Sequence, residues 1–223
     1  MARTVTGKPR LLLTGFEPFG GASVNPSWLV VQALHGHSIA GVQIQSLCLP
    51  CVFGGARLAL QAAIRQHRPV AVLALGLAAS RPVLSVERVA INVDDARIPD
   101  NAGASPLDEP VVPGGPAAYF STLPIKAIVS RLQAAGVPAE VSQTAGTFVC
   151  NHVFYALMHT LRRRPAVRAG FMHVPLMSAP GSQAPGAATT GMPLQQQIEG
   201  VQLALQTILQ VQVDSRISAG AVD

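Results

Sequence analysis

AEVSQTAGTFVCNHVFYALMHTLRRRPAVRAGFMHV, residues 139–174, contains the pattern from which the class of fold is predicted. A short aliphatic segment, Ala139–Ser142, leads through a turn at Gly146 into a helical pattern over Asn151–Arg163. A second aliphatic segment, Gly170–Val174, follows. A strand, a helix and another strand in succession are typical of a mostly parallel sheet with helices packed on its faces.

The same alternation of strands and helices extends over the rest of the chain. The further apolar runs that predict buried strands are Arg10–Thr14, Val42–Leu49 and Val70–Leu75. The further helical patterns are Pro26–Leu34, Phe53–His67, Ile125–Ala135 and Leu194–Leu209. Residues 1–223 are therefore expected to form a single α/β domain, an α/β/α sandwich with a mostly parallel, twisted central sheet.

Two regions interrupt this alternation. Leu84–Asn92 has the pattern of an extended segment or a hairpin, and it leads into a long loop rich in Asp, Pro and Gly that continues to about Pro116. A loop of that length inside a compact domain usually has a function. A second loop with several prolines and glycines is predicted between Ser178 and Met192.

Composition excludes several classes of protein. Hydrophobic residues make up 49% of the chain and charged residues 12%, which argues against disorder and predicts some apolar surface buried between subunits. Aromatic residues are only 4%, so no nucleic acid partner is expected. The basic residues are scattered apart from one group at the end of a helical pattern: Arg162, Arg163, Arg164 and Arg168.

No association with a membrane is expected either. The chain has no run of ~18 apolar residues, and no apolar segment with a cleavage site follows its basic start. Three cysteines, an odd number, do not make a disulfide framework. These features together predict a cytoplasmic protein.

Cys150 is the candidate nucleophile. It stands where the turn through Gly146 enters the helical pattern, and the backbone N–H groups and positive dipole end at such a position favour a thiolate. The same N–H groups could hold an oxyanion once the thiolate attacks a carbonyl. The alternative interpretation is a small buried side chain, because free cysteine is among the most buried residue types.

A cysteine nucleophile needs a base within hydrogen-bond reach, and His173 is the candidate. It lies at the carboxyl end of the strand that follows the Cys150 helix, the edge at which parallel sheets bind ligands. The alternative is a core histidine with its own partners. His152 is two residues from Cys150 and so points to another face of the helix. The other histidines are assigned to polar connections or to helix packing: His35, His37, His67 and His159.

The spacing leaves open which carboxylate would orient the imidazole. Glu87 differs from the other candidates only in that its neighbours Val86, Val89 and Ile91 have the character of buried residues, and a buried carboxylate needs a partner. The residues that qualify are Glu87, Asp94, Asp95 and Asp100.

Two other motifs suggest different chemistry. Cys48 and Cys51 form a C-x-x-C pair as in thiol–disulfide oxidoreductases, so a redox protein is the rival hypothesis. A chance match is favoured, since an isolated pair has little specificity and no second pair completes a zinc site. The turn Gly15–Gly21 contains Glu17 and is followed by no Walker lysine, so phosphate binding there is not expected.

With these residues identified, the chain resembles the pyrrolidone-carboxylate peptidases, also called pyroglutamyl peptidases I, a family of cysteine peptidases. Several motifs in register are more specific than any one of them. They run in order along nearly the whole chain: LLTGFEPFGG at 12–21, NPSW at 25–28, ERVAIN at 87–92, ARIPDN at 96–101, GGPAAY at 114–119, TAGTFVCNH at 144–152 and FMHVP at 171–175.

The resemblance implies a Cys–His–Glu triad that falls here on Cys150, His173 and Glu87, and that cleaves peptides with an N-terminal pyroglutamate through a thioester. It also implies a homotetramer of α/β/α subunits that needs no metal or other cofactor. The resemblance also implies that three phenylalanines clasp the pyroglutamyl ring, that one asparagine steadies the substrate loop, and that one arginine lies near the active site. The positions that match these residues are Phe16, Phe19, Phe148, Asn25 and Arg97.

The chain departs from the family pattern in two places. Gly76–Ser80 reads GLAAS where the family often has a turn like GQAGG. If backbone groups of this turn contact the ring, Leu77 can substitute, whereas a specific side-chain contact would be lost. After Pro175 the match fades. An inactive relative that serves as a binding module is a third hypothesis, against which the complete triad argues.

Overall fold

The computed structural model describes residues 8–178 and 191–220. Along these residues the strands are β1 (Arg10–Phe16), β2 (Ser38–Ile39), β3 (Val42–Leu49), β4 (Ala71–Leu77), β5 (Leu84–Glu87), β6 (Val89–Ile91), β7 (Ala118–Phe120), β8 (Ala139–Ser142) and β9 (Arg168–Val174). The helices are α1 (Pro26–Ala33), α2 (Gly55–His67), α3 (Ile125–Ala134), α4 (Val149–Leu161) and α5 (Leu194–Gln210). No helix in the described ranges combines the length and the apolar character that a membrane crossing requires.

Seven of these strands form one sheet in the order β2-β3-β1-β4-β9-β5-β8. β3, β1, β4 and β9 are parallel to one another, β5 runs antiparallel to β9, and β8 is parallel to β5. The prediction of a mostly parallel sheet is confirmed, although β5 and β8 at one side and the short edge strand β2 at the other run in the opposite direction. Because β5 lies between β8 and β9, the two strands of the segment 139–174 are not neighbours.

The region Leu84–Asn92, predicted to be an extended segment or a hairpin, divides at Arg88. β5 joins the main sheet, whereas β6 pairs antiparallel with β7 in a separate two-stranded ribbon. The sequence does not predict β2 or β7, because strands of two or three residues are too short to show a period.

Helices cover both faces of the sheet because alternate residues of each strand point to opposite faces. In β1, Leu11 and Leu13 pack with α1, α3 and α5 on one face, whereas Leu12 packs with α2 and α4 on the other. Strands that are buried on both faces need continuous apolar runs, which accounts for the short aliphatic segments of the sequence. The predicted α/β/α sandwich is confirmed.

The end of β1 and the start of α4 differ from their predicted positions. β1 continues past Thr14 to Phe16, and Gly15 lets α1 approach closely, since a Cβ atom there would lie 2.6 Å from the backbone oxygen of Ser27. α4 begins at Val149, two residues before the predicted start, so Cys150 lies within its first turn. Of the loop predicted between Ser178 and Met192, residues 179–190 lie outside the described ranges.

Candidate active site

His173 and Glu87 form a buried pair. His173 is the last residue but one of β9 and Glu87 is the last of β5; they are 4% and 0% exposed. The imidazole Nδ1 lies 2.7 Å from Glu87 Oε1. A carboxylate at this atom holds the ring in one orientation and leaves Nε2 available for another group.

The sulfur of Cys150 lies against the neighbouring strand. Gly76 of β4 is paired with His173 in the parallel register, and a Cβ atom at Gly76 would lie 2.7 Å from Cys150 Sγ. Any side chain at Gly76 would therefore clash with the sulfur. Paired residues of adjacent strands are ~4.8 Å apart, so the sulfur packs onto the sheet directly beside the position of His173.

Burial dominates the electrostatics of the Cys150 thiol. Burial raises the pKa of the thiol above its ordinary value, Cys51 and Glu87 raise it further, and Arg81 opposes them. This shift is opposite in direction to the lowered pKa that the position at a helix N-terminus predicts. The thiol therefore needs a neighbouring base to take its proton. No side chain caps the first turn of α4, so its backbone N–H groups have no side-chain acceptor among the described residues.

Arg81 belongs to this site although the sequence analysis does not single it out. Its Nη1 donates to Glu87 Oε1 at 2.7 Å, and its Nη2 donates to the backbone oxygen of Thr144 at 2.7 Å. It thereby links the carboxylate of the buried pair to the turn that precedes α4. The feature of the sequence that could point to Arg81 is its position directly after the atypical turn Gly76–Ser80.

The other three carboxylates that the spacing leaves open have different partners. Asp94 Oδ2 lies 2.7 Å from Nδ1 of His152, which makes a second buried pair. Asp100 accepts hydrogen bonds from backbone N–H groups of its own loop and from the backbone N–H of Phe53, two residues before α2. Asp95 is joined through its backbone to the turn before α4. Of the four, Glu87 is the one bonded to the imidazole of the first pair.

An aromatic cluster lies at the start of α4. The Phe148 ring is 6.2 Å from that of Phe19 and meets Phe53 edge-on at 5.4 Å, measured between ring centroids. Phe16 is 2% exposed and belongs to the same apolar core as Phe53. The structure thus brings Phe19 and Phe148 together, places Phe16 in the core, and adds Phe53, which the sequence predicts only as the start of a helix.

Asn25 and Arg97 differ in their surroundings. The buried side chain of Asn25 accepts from the backbone N–H of Ser27 at the start of α1 and donates to the backbone oxygen of Glu17. It thereby fixes the turn that carries Phe19. Arg97 is exposed, and its side chain makes no hydrogen bond with the described residues.

Cys48 and Cys51 are both free thiols. Burial, and then the carboxylate of Glu17, raise the pKa of Cys48; the same causes, with Asp100 added, raise the pKa of Cys51 to about 12. Redox-active cysteines need a lowered thiol pKa. These shifts favour the interpretation of the C-x-x-C pair as a chance match.

The remaining histidines lie apart from the buried pair. His35 and His37 are exposed, His67 is partly buried at the end of α2, and His159 Nδ1 lies 2.9 Å from the hydroxyl of Tyr119. Within residues 8–178 and 191–220, no group of three or more His, Cys, Asp or Glu side chains is arranged to hold a metal ion.

Sequence comparisons find relatives over nearly the whole chain. The family model for pyroglutamyl peptidase matches residues 9–211. A pyrrolidone-carboxylate peptidase of Klebsiella pneumoniae (strain 342) is 54% identical over 211 residues, which are 95% of this chain and 98% of the relative. A pyrrolidone-carboxylate peptidase of Cupriavidus taiwanensis is 52% identical over 214 residues, again 95% of this chain and 98% of the relative.

Solved structures agree with these relatives. Pyroglutamyl peptidase I of Bacillus amyloliquefaciens superimposes with a TM-score of 0.86 at 42% identity, covering 93% of this chain and 100% of that one. The pyrrolidone carboxyl peptidase of Thermococcus litoralis gives 0.87 at 35% identity, covering 94% and 99%. With a family model that spans almost the full sequence and relatives more than half identical to it, the chain belongs to the pyroglutamyl peptidase family and is a hydrolytic enzyme of the peptidase class.

Proposed function

We propose that the chain is a cysteine peptidase that hydrolyses the amide bond after an N-terminal pyroglutamyl residue, through a thioester on Cys150. One observation carries the proposal: the His173–Glu87 pair lies beside Gly76, against which the Cys150 sulfur packs. Covalent acyl transfer requires a nucleophile, a base and a group that orients the base. Membership of the family supports the choice of the pyroglutamyl group as the substrate.

In the proposed mechanism, the first step is removal of the thiol proton, because burial raises the pKa of Cys150. Nε2 of His173 takes this proton as the sulfur attacks the pyroglutamyl carbonyl. Glu87, bonded to Nδ1, stabilises the imidazolium that results. The tetrahedral oxyanion accepts hydrogen bonds from the uncapped N–H groups in the first turn of α4.

The second half of the reaction uses the same groups in reverse. His173 gives its proton to the leaving amine, the C–N bond breaks, and the thioester remains on Cys150. A water molecule, with His173 as its base, then attacks the thioester, which releases pyroglutamate and restores the thiol. Arg97 is a further candidate for stabilising the developing negative charge.

The pocket has to recognise an uncharged, flat lactam ring with one N–H and one C=O. Apolar walls and one donor–acceptor pair suit this ring, whereas a carboxylate that grips an ammonium group does not. Phe19 and Phe148 would supply the walls, with Phe16 in the apolar core against which they pack and Phe53 edge-on to Phe148. Asn25 would act indirectly, by fixing the turn that carries Phe19.

The proposal includes peptides with an N-terminal pyroglutamate as substrates, no metal or organic cofactor, a cytoplasmic location and a homotetramer. Exposed apolar side chains such as Leu107 and Val213, which are 77% and 82% exposed, suit burial between subunits. Light scattering after size-exclusion chromatography would then give four times the subunit mass of 23.2 kDa.

Replacement of the nucleophile tests the function directly. Cys150→Ala should keep the circular dichroism spectrum of the wild type and should turn over a chromogenic pyroglutamyl amide at least ~1000-fold more slowly. The matched control is the double variant Cys48→Ser/Cys51→Ala, which should retain turnover. Activity in Cys150→Ala would place the nucleophile elsewhere. Equal rates on pyroglutamyl and prolyl amides would show that the lactam carbonyl is not recognised.

Alkylation tests the role of His173. Because the pKa of Cys150 is raised, its thiol without a base should react with iodoacetamide only at alkaline pH, above its ordinary titration range. Wild type should be alkylated at Cys150 near neutral pH, whereas His173→Ala should react at least ~10-fold more slowly there and recover as the pH rises. Mass spectrometry of the Cys150 peptide gives the rate, and identical pH profiles for the two proteins would contradict the proposed base.

A further inference from the structure

Two long stretches of the chain contain no carboxylate side chain. No Asp or Glu occurs between Glu17 and Glu87, and none occurs between Glu140 and Glu199. These stretches supply α2 and α4, which pack side by side on the same face of the sheet. The positive charges at the ends of both helices are therefore not balanced from within either stretch.

Packing of the two helices gathers their arginines at one place. An open cavity of about 480 Å³ is lined by Arg65 and Arg68 from the end of α2 and by Arg164 from the end of α4. An adjoining cavity of about 310 Å³ shares Arg65 and Arg164 and adds Arg162. The sequence shows only the group after α4, since the contribution of α2 depends on how the helices pack.

This cavity is separate from the candidate active site. Arg68 lies three residues before β4 and Arg164 lies four residues before β9, so the cavity is at the amino ends of the strands whose other ends carry Gly76 and His173. α4 connects the two places, with Cys150 in its first turn and Arg162 just past its last. Its 13 residues span about 20 Å.

Arginines near helix C-termini often serve only to bind the last backbone carbonyls. Arg162 does this, because its Nη1 donates to the backbone oxygen of His159. The side chains of Arg65, Arg68 and Arg164 make no hydrogen bond and no ion pair with the described residues, and all three are exposed. Hydrogen bonds to the helix ends therefore do not account for the three guanidinium groups around the cavity.

We propose that this arginine-lined cavity binds a polyphosphate chain. Guanidinium groups bind phosphate oxygens in pairs with charge-assisted hydrogen bonds, and several separate guanidinium groups match several linked phosphates better than a single anion. The absence of carboxylates on both helices removes the competing ligand. A more apolar cavity of about 230 Å³ is also lined by Arg162 and Arg164 and includes Tyr119 and Met158. A free chain and the phosphates of a nucleoside triphosphate therefore share the chemistry that this site would bind.

Isothermal titration calorimetry of the full chain with sodium tripolyphosphate, at about 10 mM salt where screening is weak, tests the site. Wild type should bind, and Arg65→Gln/Arg164→Gln should bind at least about tenfold more weakly. The matched control Arg131→Gln/Arg216→Gln removes the same charge from α3 and from the segment after α5 and should bind as wild type does. The affinity of wild type should fall as salt is added.

A second titration with ATP identifies the source of the phosphates. Tighter binding of ATP than of tripolyphosphate supports the site with a nucleotide as its ligand, and binding of tripolyphosphate alone supports it with a free chain. No binding of either by wild type, or an equal loss of binding in the two double variants, would overturn the proposal. Thermal unfolding of each variant without ligand verifies that the substitutions leave the fold intact, including the one at Arg131, which is partly buried and donates to Gln206 and Gln210 of α5.

Discussion

Gly76 is the residue at which the closest packing in the candidate active site can be tested. A Cβ atom there would lie 2.7 Å from Cys150 Sγ and 2.8 Å from the Phe171 ring. In Gly76→Ala either the sulfur or the ring must move, and a displacement of about 1 Å at a nucleophile can lower the rate about 100-fold. We expect kcat/KM to fall by that order, with a loss of about 1–3 kcal/mol in the free energy of unfolding.

The control for this substitution is Gly220→Ala. A Cβ atom at Gly220 would meet open space, and the residue is exposed. This variant should match wild type in both turnover of the pyroglutamyl amide and urea unfolding. If Gly76→Ala behaves like the control, the sulfur does not lie where the packing against β4 puts it.

Residue type and local position are enough to predict two residues of the candidate site but not the groups that they contact. Cys150 and His173 follow from their places in the strand–helix–strand pattern, because both positions are local. The partner of His173 does not, since Glu87 reaches it only because β5 inserts beside β9 in the opposite direction. Arg81 was missed for the same reason: both of its acceptors lie on other segments of the chain.

Among the elements, the start of α4 is fastened to the segment that follows β6. The side chain of Asn151 bonds the backbone of Ile91 in both directions and also the oxygen of Val93, and His152 pairs with Asp94. Asn151 and His152 directly follow the nucleophile in the sequence. This segment therefore holds the first turn of the helix, and with it the position of the sulfur.

Loss of the Asp94–His152 pair should destabilise the protein in a graded way. Asp94→Ala leaves a buried imidazole without its partner and should lower the free energy of unfolding by about 3 kcal/mol. Asp94→Asn should cost less, because its amide oxygen can still accept a hydrogen bond. Asp95→Ala is the control, since Asp95 is held through its backbone. If urea unfolding gives Asp94→Ala and Asp95→Ala the same free energy of unfolding, this role of Asp94 is contradicted.

The longer elements could be predicted from the sequence because burial on two faces gives a strand an uninterrupted apolar run. β1, β4 and β9 show this: they are buried almost throughout, and each lies within two residues of its predicted limits, Arg10–Thr14, Val70–Leu75 and Gly170–Val174. The sequence does not show that β5 and β8 run opposite to β3, β1, β4 and β9, because direction depends on connections made across the whole sheet. The ribbon of β6 and β7 is likewise hidden, since each of its strands has three residues.

In the whole molecule, the segment after α5 contacts both the start of α3 and the residue that follows β5. Pro124 before α3 provides no side-chain cap; the carboxylate of Asp214 accepts instead from the backbone N–H groups of Lys126 and Ala127. Further along, the backbone oxygen of Ala219 accepts from Arg88, which follows β5. The family match ends at residue 211, so these contacts are made by residues beyond it.

Removal of this distant cap should weaken the whole fold rather than the helix alone, because α3 packs directly on α5 and on the core of one face. Asp214→Ala should lower the free energy of unfolding by about 1 kcal/mol, the usual effect of losing a cap. For a chain of this size that corresponds to a fall of about 2–4 °C in Tm, measured by differential scanning calorimetry. Ser218→Ala, an exposed position in the same segment, should leave Tm unchanged. An equal Tm for both variants would mean that Asp214 does not act as the cap of α3, and that the helix is held by packing alone.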